Sequence, residues 1–148
     1  MPTVAEALLA EGKRPAVVAD CATLIDEEVA SKSGLGGLAI KTAFATVKAL
    51  KRGIIPESVN ALLDDFVVEL EPFYAEYLEE GGGEGIDRFV PKHGARIADA
   101  LLGITDRRAQ RSKHKTLVKA YEKLRPQGKK QVEAATPRIG AMLKRHGL

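Results

Sequence analysis

The sequence is poor in the residues that build covalent and aromatic frameworks. Its 148 residues include one cysteine, Cys21, and no tryptophan, and aromatic residues make up 5% of the chain. A lone cysteine forms no intrachain disulfide, which excludes the disulfide-rich secreted class and fits a reducing compartment. No apolar run approaches the roughly 18 to 20 residues that span a bilayer. These absences predict a soluble, cytoplasmic protein without a membrane partner.

Cations are missing from one long segment and concentrated in another. Residues 54–87 contain no Lys or Arg but ten acidic residues, whereas residues 105–148 carry thirteen Lys and Arg against three acids. Such a split indicates either a basic surface for an anionic partner or two segments that neutralise each other within the fold. The two interpretations differ in whether the acids at 57–80 pack beside the cations at 107–130.

Apolar residues recur at spacings of three and four along most of the chain, and no segment shows sustained alternation. The sequence therefore predicts an all-α fold, a compact bundle of about seven to nine helices, several of them short, in one domain over residues 1–148. The third helix should run from about Ser33 to Arg52, with Gly53 as its stop. Pro72 predicts either a kink in one long helix or a break between two.

Three further helix starts are predicted in the second half of the chain. After a turn near residues 86–90, a helix should begin at about Pro91. Thr105 followed by Asp106 has the form of a new helix start, because Thr and Asp cap helix N-termini. Thr136 with the proline after it should start the last helix, which would follow a separate short helix.

The stretch "ASKSGLGGLAIK", residues 30–41, is the first candidate site. Residues 34–39 match the dinucleotide fingerprint GxGxxA, but that motif needs a preceding strand, and here the preceding residues are helical and acidic. A helix beginning in this stretch would place free N–H groups beside lysines, which suits an anion. The competing interpretation is that the glycines let another helix pack closely. The candidate anion or partner site comprises Lys32, Ser33, Gly34, Gly36, Gly37 and Lys41.

The segment "ITDRRAQRSKHKTLVKAYEKLR", residues 104–125, is the second candidate. On one continuous helix its cations form a stripe that could bind the phosphates of nucleic acid or of a cofactor. Tyr121 is its only aromatic residue and lies on the apolar face, so no stacking platform for bases is predicted. A solvated or internally paired face is therefore favoured over nucleic-acid binding. The candidate basic surface comprises Arg108, Arg111, Lys115, Lys119 and Arg125.

Patterns that would indicate catalysis are weak. Cys21 falls on an apolar helical face, which indicates packing rather than nucleophilic chemistry. His93, His114 and His146 match neither zinc nor di-iron spacing, so we predict no metal site and no cofactor. No acid and base pair can be chosen among the carboxylates at 76–80. The sequence therefore favours a non-enzymatic protein and predicts no catalytic residue.

Four segments carry a resemblance to a known family: "KSGLGGLAIKTAFATVKALKRG", "LLDDFVVELEPFYAEY", "ADALLGITDRRAQRS" and "AYEKLRP". Together they resemble an uncharacterised family of small bacterial all-helical proteins, known as a domain of unknown function. The resemblance covers most of the chain. It implies a compact, all-helical, cytoplasmic protein and supplies no substrate, cofactor or catalytic residue.

The function predicted from the sequence is that of a small soluble helical module that binds a ligand or a partner. Its first candidate surface is the glycine- and lysine-rich start of the third helix. The identity of the partner is not predicted, and a homo-oligomer and a protein partner both stay open. Nucleic-acid binding through the basic C-terminal region is one alternative, and an enzyme of unrecognised type is another.

Overall fold

The computed structural model describes residues 3–81 and 83–148, and every regular element in these two ranges is helical. The all-α prediction is therefore confirmed. The α-helices of the described residues are α1 (Val4–Leu9), α2 (Arg14–Ala30), α3 (Gly34–Leu50), α4 (Ile54–Glu79), α5 (Ile86–Lys92), α6 (Gly94–Arg111), α7 (Lys115–Leu124) and α8 (Gly128–Arg145). A short 3-10 helix, Arg125–Gln127, joins α7 to α8. None of the described helices combines the length and apolar character needed to cross a membrane.

Local signals explain where the first helices begin and end. α1 begins with the capping box of "TVAE", in which the Thr3 hydroxyl accepts the Glu6 N–H and the Glu6 carboxylate accepts the Thr3 N–H. Gly53 separates α3 from α4 with φ +76, a left-handed conformation that favours glycine. The stop predicted at Gly53 is thus confirmed, and α3 itself ends slightly earlier, at Leu50.

Proline does not divide α4 or α8, although each helix contains one in its interior. α4 continues through Pro72, so the proline does not separate two helices. α8 continues through Pro137, and the prediction of two helices here is wrong. The Thr136 hydroxyl donates to the Glu133 carbonyl at 2.6 Å, which is the carbonyl that an N–H at position 137 would otherwise bond. Thr136 therefore supports the helix interior rather than capping a start.

Two other boundaries differ from prediction. The expected turn at 86–90 is the helix α5, which contains Pro91, and α6 begins at Gly94 instead of at the proline. The helix start expected at Thr105 is wrong, because Thr105 lies inside α6. Its hydroxyl donates to the Leu102 carbonyl at 3.1 Å, so a side chain with capping chemistry serves the helix interior instead.

The buried core is assembled from six of the helices. It draws its residues from α1, α2, α4, α5, α6 and α8, and Ile97 of α6 is fully buried within it. α3 and α7 contribute no residue to this cluster within the described ranges, and they pack against each other outside it. We refer to this pair as the α3–α7 layer. Because this layer lies outside the core, much of its surface is exposed.

Candidate functional site

The start of α3 is covered on one side by the backbone of Lys32, which lies two residues before the helix. Ser33 is extended, and Gly34 has φ +73. A Cβ at the buried Gly37 would lie 2.7 Å from the carbonyl carbon of Lys32, so the Lys32 backbone rests directly on this glycine. Gly34 and Gly36 are exposed. The close approach at Gly37 therefore serves the chain just before α3, not a second helix.

The ammonium group of Lys32 is held inside the protein. Its Nζ lies 3.0 Å from the Glu28 carboxylate, and the two side chains are only 16% and 13% exposed. Arg138 of α8 donates to the other oxygen of that carboxylate at 2.8 Å. Separating so shielded a pair would leave a charge unpaired, which keeps Lys32 from an external anion. Lys41 is exposed and has no ion pair among the described residues.

The acids at 57–80 are paired mainly with cations outside the basic segment. Three of these acids form ion pairs with cations at positions 14, 51 and 96, and a fourth lies 3.8 Å from a cation within residues 107–130. The pairs are Asp64 with Arg14, Glu57 with Lys51, Glu76 with Arg96, and Glu69 with Arg107. Within the described residues, the acids at 57–80 and the cations at 107–130 therefore share one long ion pair, and the wider segments 54–87 and 105–148 add one more, between Asp87 and Lys144 at 3.6 Å.

Most of the positive charge at residues 107–123 is consequently not neutralised by ion pairs. Residues 107–123 contain seven Lys and Arg side chains against one acid, Glu122. Six of these cations are exposed and have no ion pair in the part of the chain that the structure describes. They are Arg108, Arg111, Lys113, Lys115, Lys119 and Lys123. Four of the five predicted basic-surface residues are among them.

The predicted stripe does not lie on one continuous helix. α6 ends at Arg111 and α7 begins at Lys115. Between them the Ser112 hydroxyl accepts the backbone N–H of His114 at 3.2 Å. The chain turns there, so that α7 packs against α3. Of the cations predicted to share a stripe, Arg108 and Arg111 line one groove beside α7 and Lys119 lines another, whereas Lys115 and Arg125 line neither.

The first groove is an open depression between α3 and α7 with a volume of about 560 Å³. We call it the α3–α7 groove. Two of the three exposed large hydrophobic residues in the described part of the chain lie in it, Leu35 at 89% and Leu38 at 61% exposure. Lys119 and Lys123 lie along its α7 side. The groove therefore combines apolar surface with cations that have no ion pair among the described residues.

The second groove is an open depression between the start of α4, the end of α6 and α7, with a volume of about 740 Å³. We call it the α4–α6–α7 groove. Arg108 and Arg111 line it from the last turns of α6. Its apolar lining residues are Ile54, Ala61, Leu62, Ala109, Leu117 and Val118.

A polar network that was not predicted from the sequence fixes α7 against α6. The Tyr121 hydroxyl lies 2.7 Å from the Thr105 hydroxyl and donates to the Asp106 carboxylate at 2.5 Å. Arg125 donates twice to the same carboxylate, at 2.8 and 3.0 Å. Hydrogen bonds from Arg125 and Tyr121 lower the pKa of Asp106. Arg125 is therefore held in an ion pair with the ionised Asp106. Of the five predicted basic-surface residues, it is the one whose charge is neutralised within the described structure.

One cluster has donor atoms that could suit a metal ion. Ligand atoms of Glu76, Glu80 and His93 all lie within 4.8 Å of one another. However, Arg96 donates to both oxygens of Glu76 at 3.0 and 3.1 Å, and its NH1 is 3.3 Å from Nδ1 of His93. The bond from Arg96 lowers the pKa of Glu76 and supplies the positive charge that a cation would bring. We interpret the cluster as an ion-pair network that joins α4 to α6.

Cys21 packs against the core instead of facing a groove. Burial, together with the charge of Asp20, raises the pKa of the Cys21 thiol to about 11. Because the thiolate is the nucleophilic form, this environment suppresses reactivity.

Native-state alkylation of Cys21 should therefore be slow. At pH 8 the thiolate fraction should be roughly 200-fold below that of an unperturbed thiol, while the higher nucleophilicity of a more basic thiolate should restore about tenfold. Iodoacetamide should thus label the native protein roughly 20-fold more slowly than the guanidinium-unfolded protein. A time course followed by mass spectrometry measures both rates. Equal rates would contradict the buried thiol.

The described residues thus define an all-helical bundle with a peripheral two-helix layer and a groove on each side of α7. The chain belongs to a family of unknown function, DUF6918, whose family model matches residues 4–147. The predicted resemblance to an uncharacterised domain is thereby confirmed. No curated protein and no solved structure matches the chain.

Proposed function

We propose that the protein is a non-enzymatic interaction module that binds an acidic amphipathic helix of a partner protein in the α3–α7 groove. The observation that supports this function is the juxtaposition of exposed leucines with lysines that have no ion pair among the described residues. An amphipathic helix buries its apolar stripe in such a groove and directs its polar side chains to the rim. Leu35 and Leu38 supply the apolar contact, and Lys119 and Lys123 supply the charge.

The apolar part of the proposal follows from how little of α3 is covered. Of its seventeen residues, Gly37 and Ile40 are buried. Burying Leu35 and Leu38 under a partner would contribute about 3 to 6 kcal/mol of transfer free energy, before the entropic cost of association. The transfer free energy of burying these leucines therefore favours binding of a partner helix on this face.

The positive charge of the α3–α7 groove favours an acidic partner. The residues that line the α3–α7 groove include no acid among those the structure describes, and α3 and α7 together hold five lysines against Glu122. Complementary charge speeds association and disfavours basic partners. A nucleic-acid backbone could use Lys119 and Lys123 but would leave Leu35 and Leu38 exposed to water, so a protein helix fits the whole groove better.

The same proposal places the protein in the bacterial cytoplasm as one soluble domain over residues 1–148. The single thiol of Cys21 suits a reducing compartment. The start of α3 remains a proposed part of the binding face through Lys41, while Lys32 serves the internal pair with Glu28.

A helical peptide probe tests the proposed function. We would use a fluorescein-labelled peptide of about five turns, with leucines at spacings of three and four and glutamates on the opposite face. In fluorescence anisotropy, the double variants Leu35→Ala/Leu38→Ala and Lys119→Glu/Lys123→Glu should each weaken binding at least about tenfold. A control peptide with lysines in place of the glutamates should not bind.

The double variant Lys113→Glu/Lys130→Glu is the matched control, because it makes the same charge change outside the groove. It should alter affinity less than about threefold at physiological salt, since screening weakens distant charges. An equal loss in this control would overturn the proposal, as would wild-type protein that fails to bind the acidic peptide. A short RNA that binds with affinity unchanged by Leu35→Ala/Leu38→Ala would indicate the nucleic-acid alternative. Self-association abolished by the leucine variant would indicate a homo-oligomer instead.

A further inference from the structure

We infer that the α4–α6–α7 groove is a separate binding site for a small amphipathic anion, a molecule with a phosphate or carboxylate head and an apolar body. Its volume of about 740 Å³ falls among the pockets that hold small ligands. The groove lies on the side of α7 away from the α3–α7 groove, so this inference does not depend on the proposed function.

The charges around the groove leave two guanidinium groups available. Glu57 is the acid among its described lining residues, and it is bonded to Lys51 at 2.8 Å. The neighbouring Asp106 is held by Arg125. Arg108 and Arg111 have no ion pair in the described part of the chain. The positive charge of the groove is therefore not cancelled by the acids nearby.

The spacing of the two arginines suits one anionic head group. Residues three apart are neighbours on a helix surface, so Arg108 and Arg111 can approach the same ligand from α6. Each guanidinium offers paired donors to a phosphate or a carboxylate, and it stays charged at any physiological pH. A single head group can thus take charge-assisted hydrogen bonds from both side chains.

The rest of the groove requires an apolar body on the ligand. Leu62, Leu117 and Val118 line it, so inorganic phosphate alone would leave most of this surface in water. One wall is held in place, because the Tyr121 hydroxyl donates to Asp106 and lies 2.7 Å from the Thr105 hydroxyl. A wall ordered in advance reduces the entropic cost of binding.

Calorimetric titration with decyl phosphate below its micelle concentration tests this inference. The alkyl phosphate should bind one to one, whereas inorganic phosphate and decanol, each of which carries half of the required chemistry, should bind at least about tenfold more weakly. Decanoate in place of decyl phosphate distinguishes a carboxylate head from a phosphate head. Removal of charge-assisted bonds by Arg108→Gln/Arg111→Gln should weaken decyl phosphate binding about tenfold or more.

Two control variants make the test specific to this groove. Arg88→Gln/Lys130→Gln removes two exposed charges on α5 and α8, outside this groove, and should leave affinity within about threefold, because exposed charges at a distance are screened. Leu35→Ala/Leu38→Ala alters only the other groove and should change nothing. Decanol binding as tightly as decyl phosphate would overturn the inference. So would equal losses in Arg108→Gln/Arg111→Gln and Arg88→Gln/Lys130→Gln, or loss of binding in the leucine variant.

Discussion

Replacing Gly140 by alanine should lower the free energy of unfolding by about 1 to 3 kcal/mol. A Cβ at this position would lie 2.9 Å from both the Cα and the carbonyl oxygen of Asp87. Because these are backbone atoms, no side-chain rotation can relieve the clash, and α5 must move away from α8. α5 brings Ile86, Phe89 and Val90 to the core, so its displacement also disturbs core packing. Urea unfolding followed by circular dichroism measures the loss.

Gly103→Ala is the matched control for this substitution. Gly103 also lies inside a helix, but a Cβ there would meet only the end of the Arg107 side chain, at 3.4 Å. Since alanine is favoured over glycine in helix interiors by about 1 kcal/mol, this variant should be neutral or more stable by up to that amount. Equal destabilisation by Gly103→Ala and Gly140→Ala would show that the Asp87 contact is not the cause.

The parts of the fold that could be predicted depend on local signals. The stop predicted at Gly53 is confirmed, and the capping box of Thr3 and Glu6 is a signal of the same kind, because short-range backbone chemistry decides each of them. The all-α class follows from apolar spacing in the same way. Such signals do not depend on which helices become neighbours, so they survive whatever the tertiary structure is.

Boundaries that depend on tertiary packing could not be predicted. Thr105 and Thr136 have the side chains of helix caps, yet both hydroxyls bond carbonyls inside a helix. The same side chain satisfies either arrangement, and the packing of α6 and α8 decides between them. A pattern of Thr followed by Asp or Pro therefore does not separate a helix start from a helix interior.

The charged residues of the candidate sites could be predicted from the sequence, but the two grooves that they line could not. The spacing of Glu28 and Lys32, four residues apart, is a signal of the internal ion pair and could have been recognised in the sequence. Both grooves depend on the direction that the chain takes after Arg111, where α7 turns to pack on α3. No local pattern gives that direction, so the division of the cations between two grooves emerges only in three dimensions.

Truncating Ile97 to alanine should cost about 2 to 5 kcal/mol of stability. Ile97 is 0% exposed and belongs to the core cluster, where α6 meets the other core helices. Removing its outer carbons leaves a cavity that close-packed neighbours fill only in part, which adds to the lost transfer free energy. The measurement is the urea midpoint, read together with an unchanged slope, since a constant slope keeps the change attributable to stability.

Leu35→Ala removes a similar apolar volume from the protein surface, where we expect no comparable loss of stability. With Leu35 89% exposed, the free energy of unfolding should change by less than about 0.5 kcal/mol. The same variant should weaken binding of the acidic peptide, whereas folded Ile97→Ala protein should keep its affinity because Ile97 does not line the groove. A loss of stability in Leu35→Ala comparable to that in Ile97→Ala would mean that α3 is packed at this face in solution. The α3–α7 groove would then not be an open binding site, and the proposed function would lose its apolar contact.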